Sequence, residues 1–266
     1  MSQNDLRPLQ RCGAVDVWLM SLSGLTHNAR AFLEQHLSED ELARARRYIV
    51  AHARDQFVAA RALLRTQLSR YTNAPASSWR FESNRFGRPF ISAPLDHRHL
   101  RFNLSHTRGL IACAFSFEHE IGVDVEDVTR ELDVAGLAKS CFAAPENEAL
   151  SRMAPEALRA RFFAYWTLKE SYIKARGMGL SLPLDAFWFE LDGPPRLHCD
   201  ARCEDSPDRW QFFLEQPTAR HRLALAVASR PQAVLDIRLR WLSPDLDPVS
   251  APEDVTAAHT NAGQLR

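Results

Sequence analysis

The segment WTLKESYIK, Trp166 to Lys174, holds two of only three lysines in a chain that carries thirty arginines. Arginine serves as the cation almost everywhere else, so ammonium groups at Lys169 and Lys174, beside the carboxylate of Glu170, need a reason. On a helix, residues four apart are neighbours, which puts Glu170 and Lys174 on one face with Trp166 a turn earlier. Lys169 is turned about 100° away, to the side of Ile173. As a solvated ion pair, Glu170–Lys174 is worth about 0.3 kcal/mol. Lysine differs from arginine in being a compact point charge whose three donors can follow a phosphoryl oxygen, and in being able to release a proton. That tilts the segment toward phosphate chemistry.

The segment IGVDVEDV, Ile121 to Val128, reads as a strand. Alternate residues share a face, so Asp124 and Glu126 project together and Gly122 leaves open space beside them. Two readings stand: a solvated face, or carboxylates that hold a hard divalent cation such as Mg²⁺ together with substrate phosphate oxygens. In FNLSHTRG, Phe102 to Gly109, Ser105 beside His106 invites a hydrolase reading. Neighbours on a strand face opposite ways, and no G-x-S-x-G turn is present. The pair is better read as a hydroxyl and an imidazole at a strand end that donate to phosphate, against the plainer reading of a structural histidine. Arg44, Arg47, Arg54, Arg61 and Arg65 fall in one sector if their segment is a single straight helix, and FGRP places Arg88 on a tight turn. Guanidinium forks suit phosphate; a solvated helix face is the plainer account.

The elements that must position these groups follow from pattern. SEDELARARRYIVAHARDQFVAARALLRTQLSRY reads as one long helix or two in series, opened by a capping box of Ser38 and Glu41. Leu42, Ile49, Phe57, Leu64 and Leu68 recur at helical spacing. WRFES, RPFIS, LRFNLS and LIACAFSF read as short strands. Residues from about Pro155 to Arg176 read as a second helix, stopped by Gly177. FWFEL, RLHC, RWQFFLE and HRLALAVAS follow as strands. Helix then strands thus occurs twice, about 110 residues apart, within the usual size of a domain. The expectation is an α+β protein of two pseudo-symmetric halves, 1–118 and 119–242, each a long helix on a small, mainly antiparallel sheet. The chemistry-bearing motifs belong to the second half, and the composition of 243–266 predicts a mobile tail.

Net charge is zero, with 33 basic and 33 acidic side chains, which argues against a general nucleic-acid binder. No apolar run reaches membrane-spanning length and the first residues lack a signal-peptide core, so the expected place is the cytoplasm. Five scattered cysteines read as free thiols; Cys199 and Cys203 lack the second ligand pair that a zinc site needs.

Taken together, IGVDVE, about forty residues, then WTLKESYIK and GMGLSLPLDAF, with the RRY region, FGRP and FNLSH upstream in order, resemble the 4′-phosphopantetheinyl transferase superfamily. Within it the chain is similar to the surfactin-synthetase-activating type, from about Ser38 to Ala228. The resemblance implies an enzyme that moves the phosphopantetheine arm of coenzyme A onto a serine of an apo acyl or peptidyl carrier protein, releasing adenosine 3′,5′-bisphosphate. It implies Mg²⁺ held by Asp124, Glu126 and Glu170, and a site at the interface of the two halves. Coenzyme A contacts would come from Arg88, Ser105, His106 and Asp124, with Lys174 on the pyrophosphate. Arg44 and Arg47 fall where the family has cations for the 3′-phosphate; Glu41 stands where some relatives have another, and Arg54 is a substitute. Glu170 would be the base and the chain a monomer. A regulatory coenzyme A or nucleotide binding module without transfer activity, and a phosphohydrolase, are the rival readings.

Overall fold

The computed structural model describes residues 13–251. In chain order its elements are β1 (Ala14–Ser21), α1 (His27–Glu34), α2 (Glu39–Arg46), α3 (Ala51–Thr72), β2 (Arg80–Ser83), β3 (Pro89–Ala93), β4 (Arg101–Thr107), β5 (Leu110–Ser116) and β6 (Ile121–Asp127). They continue with α4 (Val134–Cys141), α5 (Ala144–Ser151), α6 (Pro155–Arg176), β7 (Phe187–Glu190), β8 (Arg196–Cys199), β9 (Trp210–Thr218), β10 (His221–Ala228), β11 (Asp236–Leu242) and β12 (Pro248–Val249). The fold is α+β. One sheet runs β12-β11-β1-β5-β4, another β6-β10-β9, and β2-β3 and β7-β8 form two small hairpins.

Alternation builds four layers. Trp18, Met20, Ile111, Cys113 and Phe115 pack against α3 residues such as Val58, Ala62 and Leu63. On the other face of the same strands, Val15, Val17, Leu19, Ala112 and Ala114 meet Ile121, Val123, Val125, Leu223 and Leu225 of the second sheet. Phe212, Ala224 and Ala226, on that sheet's outer face, pack on Phe163, Leu168 and Tyr172 of α6. Strands covered on both faces read as unbroken apolar runs, as in LIACAFS.

The helical region of the first half resolves into two helices. Ser38 and Glu41 form the expected capping box on α2, and the chain turns at Arg47–Val50 before α3. Ile49, placed in a helical stripe by its spacing, sits in that turn and is fully exposed. The break separates Arg44 and Arg47 from Arg54, Arg61 and Arg65 on α3, where Arg65 is buried against Glu41 at 2.7 Å and Arg61 lies 3.5 Å from the same carboxylate. The expected second helix spans Pro155–Arg176 and stops at Gly177, whose φ is +61°.

Besides the two-residue β12, two strands were not visible as elements in the sequence. β1 is central to its sheet, and β11 pairs with it in parallel, so part of the stretch assigned to the second half returns to the sheet of the first. Charge explains the return. Asp16 of β1 is 1% exposed, accepts from Tyr71 Oη at 2.8 Å, and lies 3.2 and 3.5 Å from Arg238 and Arg240 of β11. Of the expected tail, residues 243–251 are described and include β12; 252–266 lie outside the described residues, as do 1–12 with Cys12.

Candidate active site

Alternation on β6 sends Ile121, Val123 and Val125 into the core between the sheets and leaves Gly122, Asp124 and Glu126 on the other face. Gly122 does not open space there. A Cβ on it would lie 2.1 Å from the Ser171 carbonyl oxygen and 2.4 Å from the Ala175 nitrogen. The missing side chain therefore lets the backbone of α6 touch β6, in the stretch that carries Glu170 and Lys174.

The other edge of β6 is held by side chains of β4. Backbone N–H groups of Val123, Val125 and Asp127 donate to Asn103 Oδ1 (2.9 Å), Ser105 Oγ (3.3 Å) and Thr107 Oγ1 (3.1 Å). Asn103 and Thr107 were not picked out from the sequence, although the alternation N-x-S-x-T was there to be seen. This ladder fixes Ser105 beside Asp124, to which its hydroxyl donates at 2.9 Å. Lys174 Nζ donates to Asp124 Oδ1 at 2.6 Å and to Ser105 Oγ at 2.9 Å. Asp124 is 4% exposed, and its second oxygen, Oδ2, is buried with no partner.

Two further carboxylates feel that charge. Glu126 accepts from Trp166 Nε1 at 2.9 Å and from Arg130 at 3.3 Å; burial, then the charge of Asp124, push its pKa up to about 7. Burial and Asp124 also raise Glu170, with Lys174 opposing. Partial burial and the Lys174 ammonium lower the pKa of His106. Because Glu126 keeps its proton to higher pH in the folded chain, folding takes up protons between about pH 4.5 and 7, and stability falls as pH rises through that window. The full effect is roughly 3 kcal/mol. In the absence of divalent cations, Glu126→Gln should therefore raise the melting temperature at pH 8 and change it little at pH 5, as thermal melts would show.

The remaining expected groups lie apart from this cluster. Arg88 donates to the Ala175 carbonyl at 2.8 Å and pairs with Glu120 at 2.6 Å, bracing the end of α6. Arg54 is committed to Glu34 at 2.7 Å. Arg44 is exposed, with its guanidinium 5.0 Å from the Phe57 ring centroid, and Arg47 is exposed. Among the described residues, none of these four arginines hydrogen-bonds to Asp124, Glu126 or Glu170. Glu41 is both the capping-box acid and the partner of Arg65. A cleft of about 1030 Å³ lies between α3, the β4–β5 turn and the end of β6; Thr107 and Arg130 line it, but Asp124, Glu126, Glu170, Lys174 and Ser105 do not.

Lys169 has a different reason from Lys174. It is fully buried and pairs with the equally buried Glu146 at 2.8 Å, while donating to the carbonyls of Leu184 (2.8 Å) and Phe187 (2.5 Å). Three acceptors at short range suit an ammonium and leave no room for a fork. Nothing local in the sequence announced Glu146, 23 residues upstream.

Among the described residues, no three His, Cys, Asp or Glu side chains stand together as a ready ligand set for a metal, the Cys199–Cys203 region included. The donor chemistry at Asp124 nevertheless fits a hard cation. An orphaned buried carboxylate oxygen and two acids pushed up by burial and then by a neighbouring negative charge are what a divalent ion would relieve.

The comparisons agree with the motifs. A family model for the 4'-phosphopantetheinyl transferase superfamily matches residues 120–228, and one for the 4'-phosphopantetheinyl transferase N-terminal region matches 26–117. The 4'-phosphopantetheinyl transferase psf-1 of Bacillus pumilus is 30% identical over 176 residues, covering 64% of this chain and 72% of that protein. The chain belongs to the 4'-phosphopantetheinyl transferase superfamily. Within the superfamily it is 37% identical to 4'-phosphopantetheinyl transferase HetI of Nostoc sp. over 54% of this chain and 61% of that one. It is 34% identical to 4'-phosphopantetheinyl transferase Sfp of Bacillus subtilis over 53% and 57%, which makes it a superfamily member of the Sfp-like type. These two matches span less than two thirds of the relatives' own lengths. The two superfamily models meet between β5 and β6, and the Asp124 cluster falls within the second, with Ser105 reaching it from the first.

Proposed function

We propose that this chain transfers the 4′-phosphopantetheine group of coenzyme A to a serine of an apo acyl or peptidyl carrier protein and releases adenosine 3′,5′-bisphosphate. The observation that carries the reading is the contact of Lys174, Ser105 and Asp124, with the second oxygen of Asp124 unpartnered and buried. Membership of the superfamily supports it.

In this reading Asp124, Glu126 and Glu170 hold Mg²⁺, which when bound spreads the charge that grows on the pyrophosphate oxygens. Ser105, His106 and Arg88 contact the phosphates and nucleotide of coenzyme A. Arg44 and Arg47, with Arg54 behind them, take the 3′-phosphate. Glu170 accepts the proton of the carrier serine, directly or through a water. The serine oxygen bonds to the phosphorus that carries the pantetheine arm, and the bond from that phosphorus to the bridging oxygen breaks. Lys174, already on a mobile stem beside Asp124, follows the departing bisphosphate and neutralises or protonates it. The two 22-residue helices, α3 and α6, each packed over strands, support reading 1–118 and 119–242 as pseudo-symmetric halves, with β11 crossing back to the first; the proposed state is a monomer. Its proposed place is the cytoplasm, consistent with the lack, among the described residues, of a helix long and apolar enough to cross a membrane. No membrane or nucleic-acid partner is proposed.

The test is to mix the protein with coenzyme A, Mg²⁺ and an apo carrier protein and weigh the carrier. A gain of about 340 Da, one phosphopantetheinyl group in place of a serine hydroxyl hydrogen, supports the reading. No gain across several carriers, with coenzyme A still bound, would leave the binding module in its place. In the same assay Lys174→Arg should slow transfer by about tenfold or more, because a rigid fork cannot track a phosphate as an ammonium does. Full activity of that variant would refute the point-charge argument.

A further inference from the structure

Lys174 lies in the last turn of α6, where a helix has carbonyl groups without partners of its own. The Gly177 N–H closes on the Ile173 and Lys174 carbonyls at 3.0 and 3.2 Å. The carbonyls of Ala175 and Gly177 are taken by side chains of the turn between β2 and β3. Arg88 Nη1 donates to Ala175, and its positive charge suits the carbonyl end of a helix. Asn84, 93 residues before Gly177, donates to that carbonyl from Nδ2 at 2.8 Å. The other end of the same amide staples its own turn: Asn84 Oδ1 accepts from the backbone N–H groups of Phe86 and Arg88, both at 2.9 Å. One side chain thus ties the turn to the helix.

The two surfaces meet closely. A Cβ on Gly177 would lie 2.6 Å from Arg88 Cδ and 3.3 Å from Asn84 Nδ2, and one on Gly179 would lie 3.3 Å from the Phe86 carbonyl oxygen. The chain leaving α6 therefore passes the turn with no side chain at either point of approach.

We propose that Asn84 is a positioning residue for Lys174: its amide caps α6 from the β2–β3 turn and so keeps the ammonium on Asp124 and Ser105. The use of that alignment in transfer rests on the function proposed above. Carbonyls that lose a cap turn to water, and helix ends fray. Lys174 belongs to the turn that would fray, whereas Glu170 lies one turn further in. The plainer account is that Asn84 shapes only its own turn, and aspartate separates the two. Asn84→Asp keeps an oxygen for the Phe86 and Arg88 N–H groups but sets an acceptor against the Gly177 carbonyl, where no hydrogen bond can form.

The chain has only three lysines, so the side-chain ammonium NMR spectrum of the full chain labelled with ε-¹⁵N-lysine is simple. Lys139 is exposed and exchanges its protons with water too fast to be seen. Lys169, with three acceptors, and Lys174, with two, give the expected signals. In Asn84→Asp the Lys174 signal should broaden away while that of Lys169 stays. The kcat for transfer should fall about tenfold, as for a misplaced reacting group, with the KM for the carrier within about twofold of wild type. An unchanged Lys174 signal would overturn the proposal, as would its absence from the wild-type spectrum or a wild-type kcat in the variant. Loss of the Lys169 signal as well, in both Asn84→Asp and Asn84→Ala, would also overturn it, because the amide would then support the whole fold. The spectrum needs no substrate and decides the positioning by itself; a carrier that gains no mass with the wild-type chain counts against the proposed function instead.

Discussion

Asp124→Ala loses about 100- to 1,000-fold of the transfer rate, the scale seen when a charge-stabilising group is removed from a site, and Glu170→Ala loses a similar factor. The reasons differ. Asp124 is the hub: it receives Lys174 and Ser105 on one oxygen, keeps the other free, and raises both neighbouring glutamates. Its removal unseats the ammonium and takes one carboxylate from the proposed cation site. Glu170→Ala leaves the hub intact and removes the acceptor itself. Carrier mass against time, at saturating Mg²⁺ and coenzyme A, measures both variants. A side-chain titration of Glu126 by NMR in Asp124→Ala should move below the wild-type value. Near-normal transfer by either variant would show that the carboxylate assignment is wrong.

Gly122→Ala carries the largest expected effect on stability, about 3 kcal/mol or more, because overpacking against backbone finds no flexible side chain to yield. The added methyl would collide with the Ser171 carbonyl oxygen and the Ala175 nitrogen. α6 must then lift from β6, which carries Glu170 and Lys174 away from Asp124. Thermal melting and the transfer assay should fall together. Gly193→Ala, where a Cβ meets nothing within 4 Å, serves as the control and should stay near wild type. A Gly122→Ala protein with wild-type melting would mean that the helix does not rest on that strand.

What could be read from the residues in advance was mostly local. The alternation in IGVDVEDV set which side chains of β6 face together, the Ser38–Glu41 box set the start of α2, and Gly177 set the end of α6, since each is decided within one turn or one strand. What escaped depends on partners far along the chain. β1 and β11 find each other across more than 200 residues through Asp16 and two arginines, and no local period announces that. Lys169, which helix geometry turns away from Glu170 and leaves without a role, is explained by Glu146, a partner no local pattern reveals. Ile49 kept a helical spacing by chance, in a turn that spacing alone does not reveal. Gly122 was correctly noticed and wrongly explained, because a missing side chain looks the same whether a ligand or a helix takes the room.

The seam between β4 and β6 differs in kind from the ladders within each sheet of the described residues. Main-chain ladders are indifferent to sequence, since any residue but proline supplies the same rungs. Here the rungs are an amide and two hydroxyls, so each can be deleted or exchanged by a single codon change while the strands themselves persist. Evolution, or an engineer, can thus slacken the join between the two sheets by degrees, and the middle rung cannot be altered without also disturbing the hydroxyl that meets Lys174.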